Sequence, residues 1–80
     1  MKTTSVEASM TFHQFCQTLV NLDDPVGDFA DDFIRDRKAP QDVTSLDQLE
    51  GYLWSRRACS EAVEAGAEAW RRYEQRRMRT

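Results

Sequence analysis

The stretch that most constrains this sequence is residues 23–34, which read DDPVGDFADDFI. Asp24 followed by Pro25 predicts a helix start, because the aspartate oxygen accepts N–H groups of the first turn and proline at the first helical position loses no intrahelical bond. Apolar residues then recur at the spacing of one helix face, at Val26, Phe29, Ala30, Phe33 and Ile34. Such a stripe must be buried against partner elements, so the segment predicts the central helix of a folded core.

The opposite face of this helix carries three carboxylates, Asp28, Asp31 and Asp32. Carboxylates near the start of a helix are favoured by the positive end of its dipole. With Asp23 and Asp24 they make five aspartates whose oxygens could in principle hold Ca²⁺ or Mg²⁺. Their spacing lacks the loop pattern and the terminal bidentate glutamate of an EF-hand, so we predict a solvated acidic face rather than a metal site. Asp28, Asp31 and Asp32 are our candidates for binding a partner protein.

The length and composition of the chain limit what it can do. With 80 residues there is room for one domain with one core, and for no internal cavity of enzyme size. A hydrophobic fraction of 40% is too high for an obligately disordered segment, yet no apolar run is long enough to cross a bilayer. We therefore expect a soluble cytoplasmic protein that is not an enzyme and that binds neither a cofactor nor a membrane.

The two cysteines, Cys16 and Cys59, form no CxxC motif and no metal-ligand cluster with His13. Both fall among the apolar positions of predicted helices, so we expect two reduced, buried thiols that act as small hydrophobic side chains. A structural disulfide between them is the alternative. A reducing, cytoplasmic compartment agrees with the first interpretation.

A first helix is predicted to begin after Thr11. Thr11 and Gln14 form the pattern of a capping box, and Met10 can pack against Phe15 as a hydrophobic staple. The apolar stripe of this helix comprises Phe12, Phe15, Cys16, Leu19 and Val20. Because this spacing repeats that of the central helix, we expect two helices of similar length that pack against each other.

A short third helix follows the central one. The central helix is predicted to end between residues 35 and 38, because Pro40 disfavours helical geometry at the residue before it. Ser45 and Gln48 form a second capping-box pattern, which opens the third helix. Its inward residues are Leu46, Leu49, Leu53 and either Tyr52 or Trp54. Gly51 in this helix either permits a close helix crossing or faces solvent.

Around Ser55 the chain is predicted to turn, or to continue with a kink, into a long last helix of good helix formers. Its apolar face comprises Ala58, Cys59, Ala62, Val63, Gly66, Ala69, Trp70 and Tyr73. The small residues allow close approach of another helix, and Trp70 is the large side chain near the end of that face. The fold class is therefore all-α, a compact bundle of four to five helices.

The predicted organisation has three parts. Residues 1–10 form a flexible N-terminal tail, residues 11–74 form the helical domain, and residues 75–80 form a basic C-terminal helix end. The tail carries one lysine with no hydrophobic segment after it, so we expect a solvated tail rather than a signal peptide.

Several of these residues occur in an order and spacing that match a known protein family. They are Phe12 and Phe15, the run from Asp24 to Ala30, Asp36 and Pro40, Tyr52 and Leu53, and Ala69, Trp70 and Tyr73. In this pattern, residues 11–73 resemble the YozE SAM-like family of small bacterial proteins. The resemblance implies a compact fold like that of the sterile alpha motif domain, and it implies no particular activity. One departure lies near Gly66, where small residues replace a phenylalanine expected shortly before the final tryptophan.

The net charge of −3 conceals an uneven distribution along the chain. Residues 1–54 carry 4 basic and 10 acidic side chains, whereas residues 55–80 carry 7 basic and 4 acidic side chains. Two surfaces of opposite sign are expected from this division. Such surfaces steer partners or promote self-association.

Three functional hypotheses follow. The leading one is a non-catalytic helical module that binds another protein through charged surfaces, since His13 is expected to face water on the first helical turn and no catalytic triad pattern surrounds it. The alternative is nucleic-acid binding through Arg72, Arg76 and Arg79, which share a helix face and could neutralise phosphates. A third hypothesis is an accessory or phage-derived inhibitor whose acidic face imitates nucleic acid.

Overall fold

Four α-helices form the part of the chain that the computed structural model describes, residues 10–78. In chain order they are α1 at Phe12–Gln17, α2 at Pro25–Arg35, α3 at Leu46–Ser55 and α4 at Ser60–Met78. No strand occurs among the described residues, so the all-α fold with four to five helices is confirmed, and the number is four.

The starts of α1 and α2 are fixed by the predicted caps. The Oγ1 of Thr11 accepts the N–H of Gln14 at 3.1 Å, and the side chain of Gln14 accepts the N–H of Thr11 at 2.9 Å. This reciprocal pair is the predicted capping box. At α2, the Oδ1 of Asp24 accepts the N–H of Gly27 at 2.9 Å, and Pro25 is the first helical residue.

The start of α3 has only half of the predicted capping box. The Oγ of Ser45 accepts the N–H of Gln48 at 3.1 Å, as predicted. The side chain of Gln48, however, accepts the N–H of Thr44 at 2.9 Å, one residue earlier than a capping box requires. The return bond therefore fixes the loop before α3 rather than the N-cap residue.

The first helix is shorter than predicted. It has 6 residues, against 11 in α2, so the expectation of two helices of similar length was wrong. The chain tightens after Gln17: the N–H of Leu19 bonds to the carbonyl of Cys16 at 2.9 Å, and the hydroxyl of Thr18 donates to the carbonyl of Phe15 at 2.7 Å. These local bonds replace the next helical turn. Leu19 is still buried, although it lies beyond the helix.

A sharp turn, and not a kink, separates α3 from α4. The N–H of Ala58 bonds to the carbonyl of Leu53 at 3.0 Å, and the N–H of Arg57 bonds to the carbonyl of Trp54 at 3.0 Å. This is the Schellman pattern, with Arg57 in the left-handed region at φ 59°. Ala58 and Cys59 consequently precede α4, so their predicted place on its apolar face was wrong.

The core is one cluster that draws on all four helices. Its centre is Phe12, which is 0% exposed and whose ring centroid lies 5.5 Å from that of Phe33, 5.2 Å from that of Trp70 and 5.5 Å from that of Tyr73. The most extensive helix packing joins α2 to α4, and α1 and α3 each pack beside this pair. The core also contains Ala39 and Val43 from the loop between α2 and α3.

Close packing of α2 and α3 against α4 occurs at Gly66. A Cβ at this position would lie 2.9 Å from Cδ1 of Leu53 and 3.1 Å from Cε1 of Phe29. The space that a side chain would fill on α4 is therefore occupied by the two neighbouring helices. This geometry explains why small residues near Gly66 are compatible with a well-filled core.

The structure shows which aromatic residue of α3 faces the core and where Gly51 lies. Tyr52 is half-buried, whereas Trp54 exposes 60% of its surface, so Tyr52 is the inward aromatic residue. Gly51 faces solvent, since a Cβ there would meet no atom within 4 Å. The predicted tail lies outside the described residues apart from Met10, whose carbonyl accepts the hydroxyl of Tyr73 at 2.8 Å.

Candidate functional site

An open groove of about 640 Å³ lies where the carboxyl ends of α2 and α3 meet the start of α4. Its apolar lining comprises Phe29, Phe33, Leu53, Ala58 and Ala62. Its polar lining comprises Asp32, Arg35, Asp36, Arg37, Tyr52 and Arg56, and Cys59 completes it. We refer to this depression as the groove. It is a surface feature that the sequence did not predict.

Asp36 is the most engaged polar residue of the groove. Its carboxylate accepts the hydroxyl of Tyr52, the Nε of Arg56 at 3.0 Å and the backbone N–H of Lys38 at 2.9 Å. The residue lies just beyond α2, whereas Tyr52 lies in the last turn of α3 and Arg56 directly follows that helix. The network therefore holds the loop after α2 against the end of α3.

The same contacts shift the pKa values of two members of this network. The hydrogen bond from Tyr52, followed by that from the Lys38 backbone, lowers the pKa of Asp36 below its usual value of 3.8. Burial, followed by the bond to the Asp36 carboxylate, raises the pKa of Tyr52 well above its usual value. At neutral pH the carboxylate is thus charged and the phenol is protonated, so the phenol donates a hydrogen bond that the carboxylate accepts.

The three predicted partner-binding aspartates differ in their surroundings. Asp28 and Asp32 are exposed, and within residues 10–78 neither forms an ion pair. Asp31 bonds to Arg35, one turn later in α2, at 3.2 Å. Only Asp32 lines the groove, and Asp28 lies one turn before it on the same helix. The structure therefore brings one of the three residues to the groove.

The predicted nucleic-acid residues lie near the end of α4. Arg72 is half-buried and bonds to Glu68 at 3.0 Å, which is the i, i+4 pair expected from the sequence. Arg76 is exposed one turn later. Arg79 lies outside the described residues. Nothing in these contacts tests nucleic-acid binding, which stays a prediction.

The two cysteines have opposite environments. Cys16 is fully buried, and burial raises the pKa of its thiol to about 12. Cys59 is exposed at the lip of the groove, so the prediction of two buried thiols is correct for Cys16 and wrong for Cys59. The structure contains both as free thiols.

His13 is half-buried rather than turned fully to water. Its ring centroid lies 5.6 Å from that of Phe33.

Within residues 10–78, no group of three His, Cys, Asp or Glu side chains is arranged to hold a metal ion. None of the described helices combines the length and the apolar character that crossing a membrane requires.

Fold and surface together define a small all-α domain of the SAM-like type. The chain belongs to the YozE SAM-like fold family, whose sequence model matches residues 11–75. Comparison with curated proteins gives no match, and comparison with solved structures gives none either.

Proposed function

We propose that this chain is a non-catalytic interaction module that binds a segment of another protein in the groove. The observation that carries the proposal is a groove with an apolar lining and charges of both signs. Its volume of about 640 Å³ lies in the range of roughly 300–1,000 Å³ that is typical of ligand-binding clefts. An apolar side chain of the partner would occupy it.

The charges around the groove favour one orientation of the bound partner segment. Asp32 and Arg37 both line it, and within residues 10–78 neither has an ion-pair partner. A partner with a basic residue beside Asp32 and an acidic residue beside Arg37 would satisfy both. Complementary charges of this kind select orientation and partner more than they add affinity.

A non-catalytic role is supported by how the polar groups of the groove are used. Tyr52, Asp36 and Arg56 bond to one another, and Arg35 bonds to Asp31. Their hydrogen-bonding capacity serves to hold α2, its following loop and α3 in place. A general acid or base needs a pKa near the working pH, and the pKa values of Asp36 and Tyr52 are shifted away from neutrality.

The test uses Cys59 as an attachment point. A benzophenone maleimide reacts with the exposed Cys59 and not with the buried Cys16, which places a photo-cross-linker at the groove. The matched control is the double variant Cys59→Ser with Gln75→Cys, because Gln75 is exposed on α4 far along the helix from the groove.

The expected result is one protein cross-linked from Cys59 in extracts of the native cell and absent with the control. Asp32→Asn should weaken this adduct, whereas Asp42→Asn, which makes the same charge change in the exposed loop outside the groove, should leave it intact. Identical adducts from both attachment points, or none from Cys59, would contradict the proposal.

A further inference from the structure

The outer face of α3 presents an exposed tryptophan beside two carboxylates. Trp54 exposes 60% of its surface, whereas every other aromatic side chain in residues 10–78 is buried or half-buried. Asp47, Glu50 and Gly51 precede Trp54 by seven, four and three residues, so the four share one side of the helix. We call these four residues the Trp54 face. It is distinct from the groove, to which none of them contributes.

The glycine keeps this face open. Side chains on a helix lean toward its amino end, a tendency that directs residue 54 toward the turn that contains Glu50 and Gly51. Gly51 has no side chain, and a Cβ there would meet no atom within 4 Å. A flat group of a partner can therefore approach the ring without displacing any part of α3.

The charge of the Trp54 face is negative. Within residues 10–78, neither Asp47 nor Glu50 forms an ion pair. Two arginines follow Trp54, but Arg56 is bound to Asp36 at 3.0 Å and Arg57 lies beyond the end of the helix. The exposed ring is thus accompanied by two carboxylates that no cation of the described chain neutralises.

We propose that the Trp54 face binds an arginine-rich segment of another protein. Tryptophan is the best aromatic acceptor for a cation above its ring, and a guanidinium group stacks flat on it. The same guanidinium, or a second one, forms charge-assisted hydrogen bonds with a carboxylate. From Asp47 to Trp54 the helix rises about 10 Å, a distance that two arginines three residues apart cover in an extended peptide.

The test measures binding of a fluorescein-labelled hexa-arginine peptide by anisotropy at low salt, with hexa-lysine for comparison. Hexa-arginine should bind more tightly than hexa-lysine and should change the emission of Trp54. Trp54→Ala should weaken binding about tenfold, the loss expected for an exposed cation–π contact together with its aromatic surface. Circular dichroism checks that this surface variant remains folded.

A matched pair of double variants separates the site from net charge. Asp47→Asn with Glu50→Gln on the Trp54 face removes two carboxylates, and so does Asp23→Asn with Asp28→Asn at the start of α2. This second set, the α2 pair, is exposed and lies outside the groove. The first pair should weaken binding about as much as Trp54→Ala does, and the second should change it less than about twofold. Equal losses from both pairs, a greater loss from the α2 pair, or no saturable binding would overturn the proposal.

A second copy of this chain is the competing occupant, because Arg71, Arg72, Arg76 and Arg77 lie on α4. Sedimentation of the protein without peptide distinguishes the two. A monomer over the concentration range of the titration agrees with an arginine-rich partner. A dimer that Trp54→Ala dissociates would overturn the proposal in favour of self-association. Cross-linking at the groove and peptide binding at the Trp54 face are measured separately, so either proposal can fail alone.

Discussion

Two helical glycines show how much a single methyl group would change at each position. Gly66→Ala forces Leu53 and Phe29 away from contacts of 2.9 and 3.1 Å, so we expect the cost of overpacking to exceed the gain in helix propensity and to leave a net destabilisation of about 1–2 kcal/mol. Gly51→Ala meets no atom within 4 Å and should stabilise it by about 0.5–1 kcal/mol through helix propensity. Urea denaturation of both variants measures the difference. Stabilisation by both would show that Gly66 is not a packing position.

The two thiols should differ in their reactivity. Ellman's reagent should react with one thiol per folded chain, Cys59, and with two after unfolding in urea. The reason is that Cys16 is fully buried with a raised pKa, whereas Cys59 is exposed. Cys59→Ser should abolish the fast reaction and Cys16→Ser should not. Two equally fast thiols in the folded protein would contradict the structure.

For individual residues, the sequence predicts those contacts whose two partners lie close together in the chain. The caps at Thr11 and Asp24 are local patterns, and both formed as expected. The contacts of Asp36 were not predictable in the same way, since Tyr52 lies 16 residues away and Arg56 still further. Their meeting depends on where α2 and α3 end and on the path of the loop between them. The only sequence signal for Asp36 was its position in the family pattern.

At the scale of elements, helix cores were predictable and helix ends were less so. The stripe of α2 and the inner face of α4 from Ala62 to Tyr73 followed from spacing alone. The early end of α1 depends on back-bonding by Thr18, and the turn before α4 depends on a non-glycine residue at positive φ. Neither feature has a strong sequence signal, because a threonine within a helical pattern does not by itself end the helix and arginine is rare at positive φ. Cys59 was misplaced for this reason.

The link between α2 and α3 through Asp36 should make stability sensitive to acid. The pKa of Asp36 is lowered in the folded state, so its contribution is fully present above the unfolded-state value of 3.8. That contribution is lost as the pH falls through the lower folded-state pKa. Melting temperatures of the wild type should therefore fall as the pH drops below about 4.

Tyr52→Phe removes the largest cause of this pKa shift, so we expect a lower melting temperature at pH 7 and a shallower fall in acid. Tyr73→Phe is the matched control, because its hydroxyl donates to the uncharged carbonyl of Met10 at 2.8 Å. That control should lower stability by about 1 kcal/mol at every pH. Equal acid sensitivity in the wild type and Tyr52→Phe would exclude the proposed role of the Asp36 bond.

At the scale of the whole molecule, stability depends on the aromatic cluster around Phe12. Phe12→Ala should cost about 3–5 kcal/mol, a large share of the roughly 5–15 kcal/mol that stabilises a typical domain. Leu22→Ala is the control, since Leu22 is 39% exposed and lies outside the core cluster, so its truncation should cost less than about 1.5 kcal/mol. Guanidinium denaturation followed by the emission of the buried Trp70 measures both. Similar losses would contradict the position of Phe12 at the centre of the core.

The folded chain also redistributes charge in a way that its linear division conceals. Arg35 and Arg37 belong to the acidic part of the sequence, yet they share the groove with Arg56 from the basic part. Counting charges along the chain predicts two surfaces of opposite sign. Folding also produces a groove with charges of both signs, and a negative Trp54 face within the short helix α3. Predicting these surfaces requires the helix ends, which the sequence specified least well.

The bond from the Tyr73 hydroxyl to the Met10 carbonyl joins positions 63 residues apart. Phe12 likewise depends on Trp70 and Tyr73 for two of its ring contacts. On the ribosome, a nascent chain that has not yet extruded Tyr73 therefore leaves the aromatic rings of α1 uncovered. Productive folding must wait until Tyr73 has emerged, and chains that terminate before this residue should be recognised by chaperones and proteases through those rings.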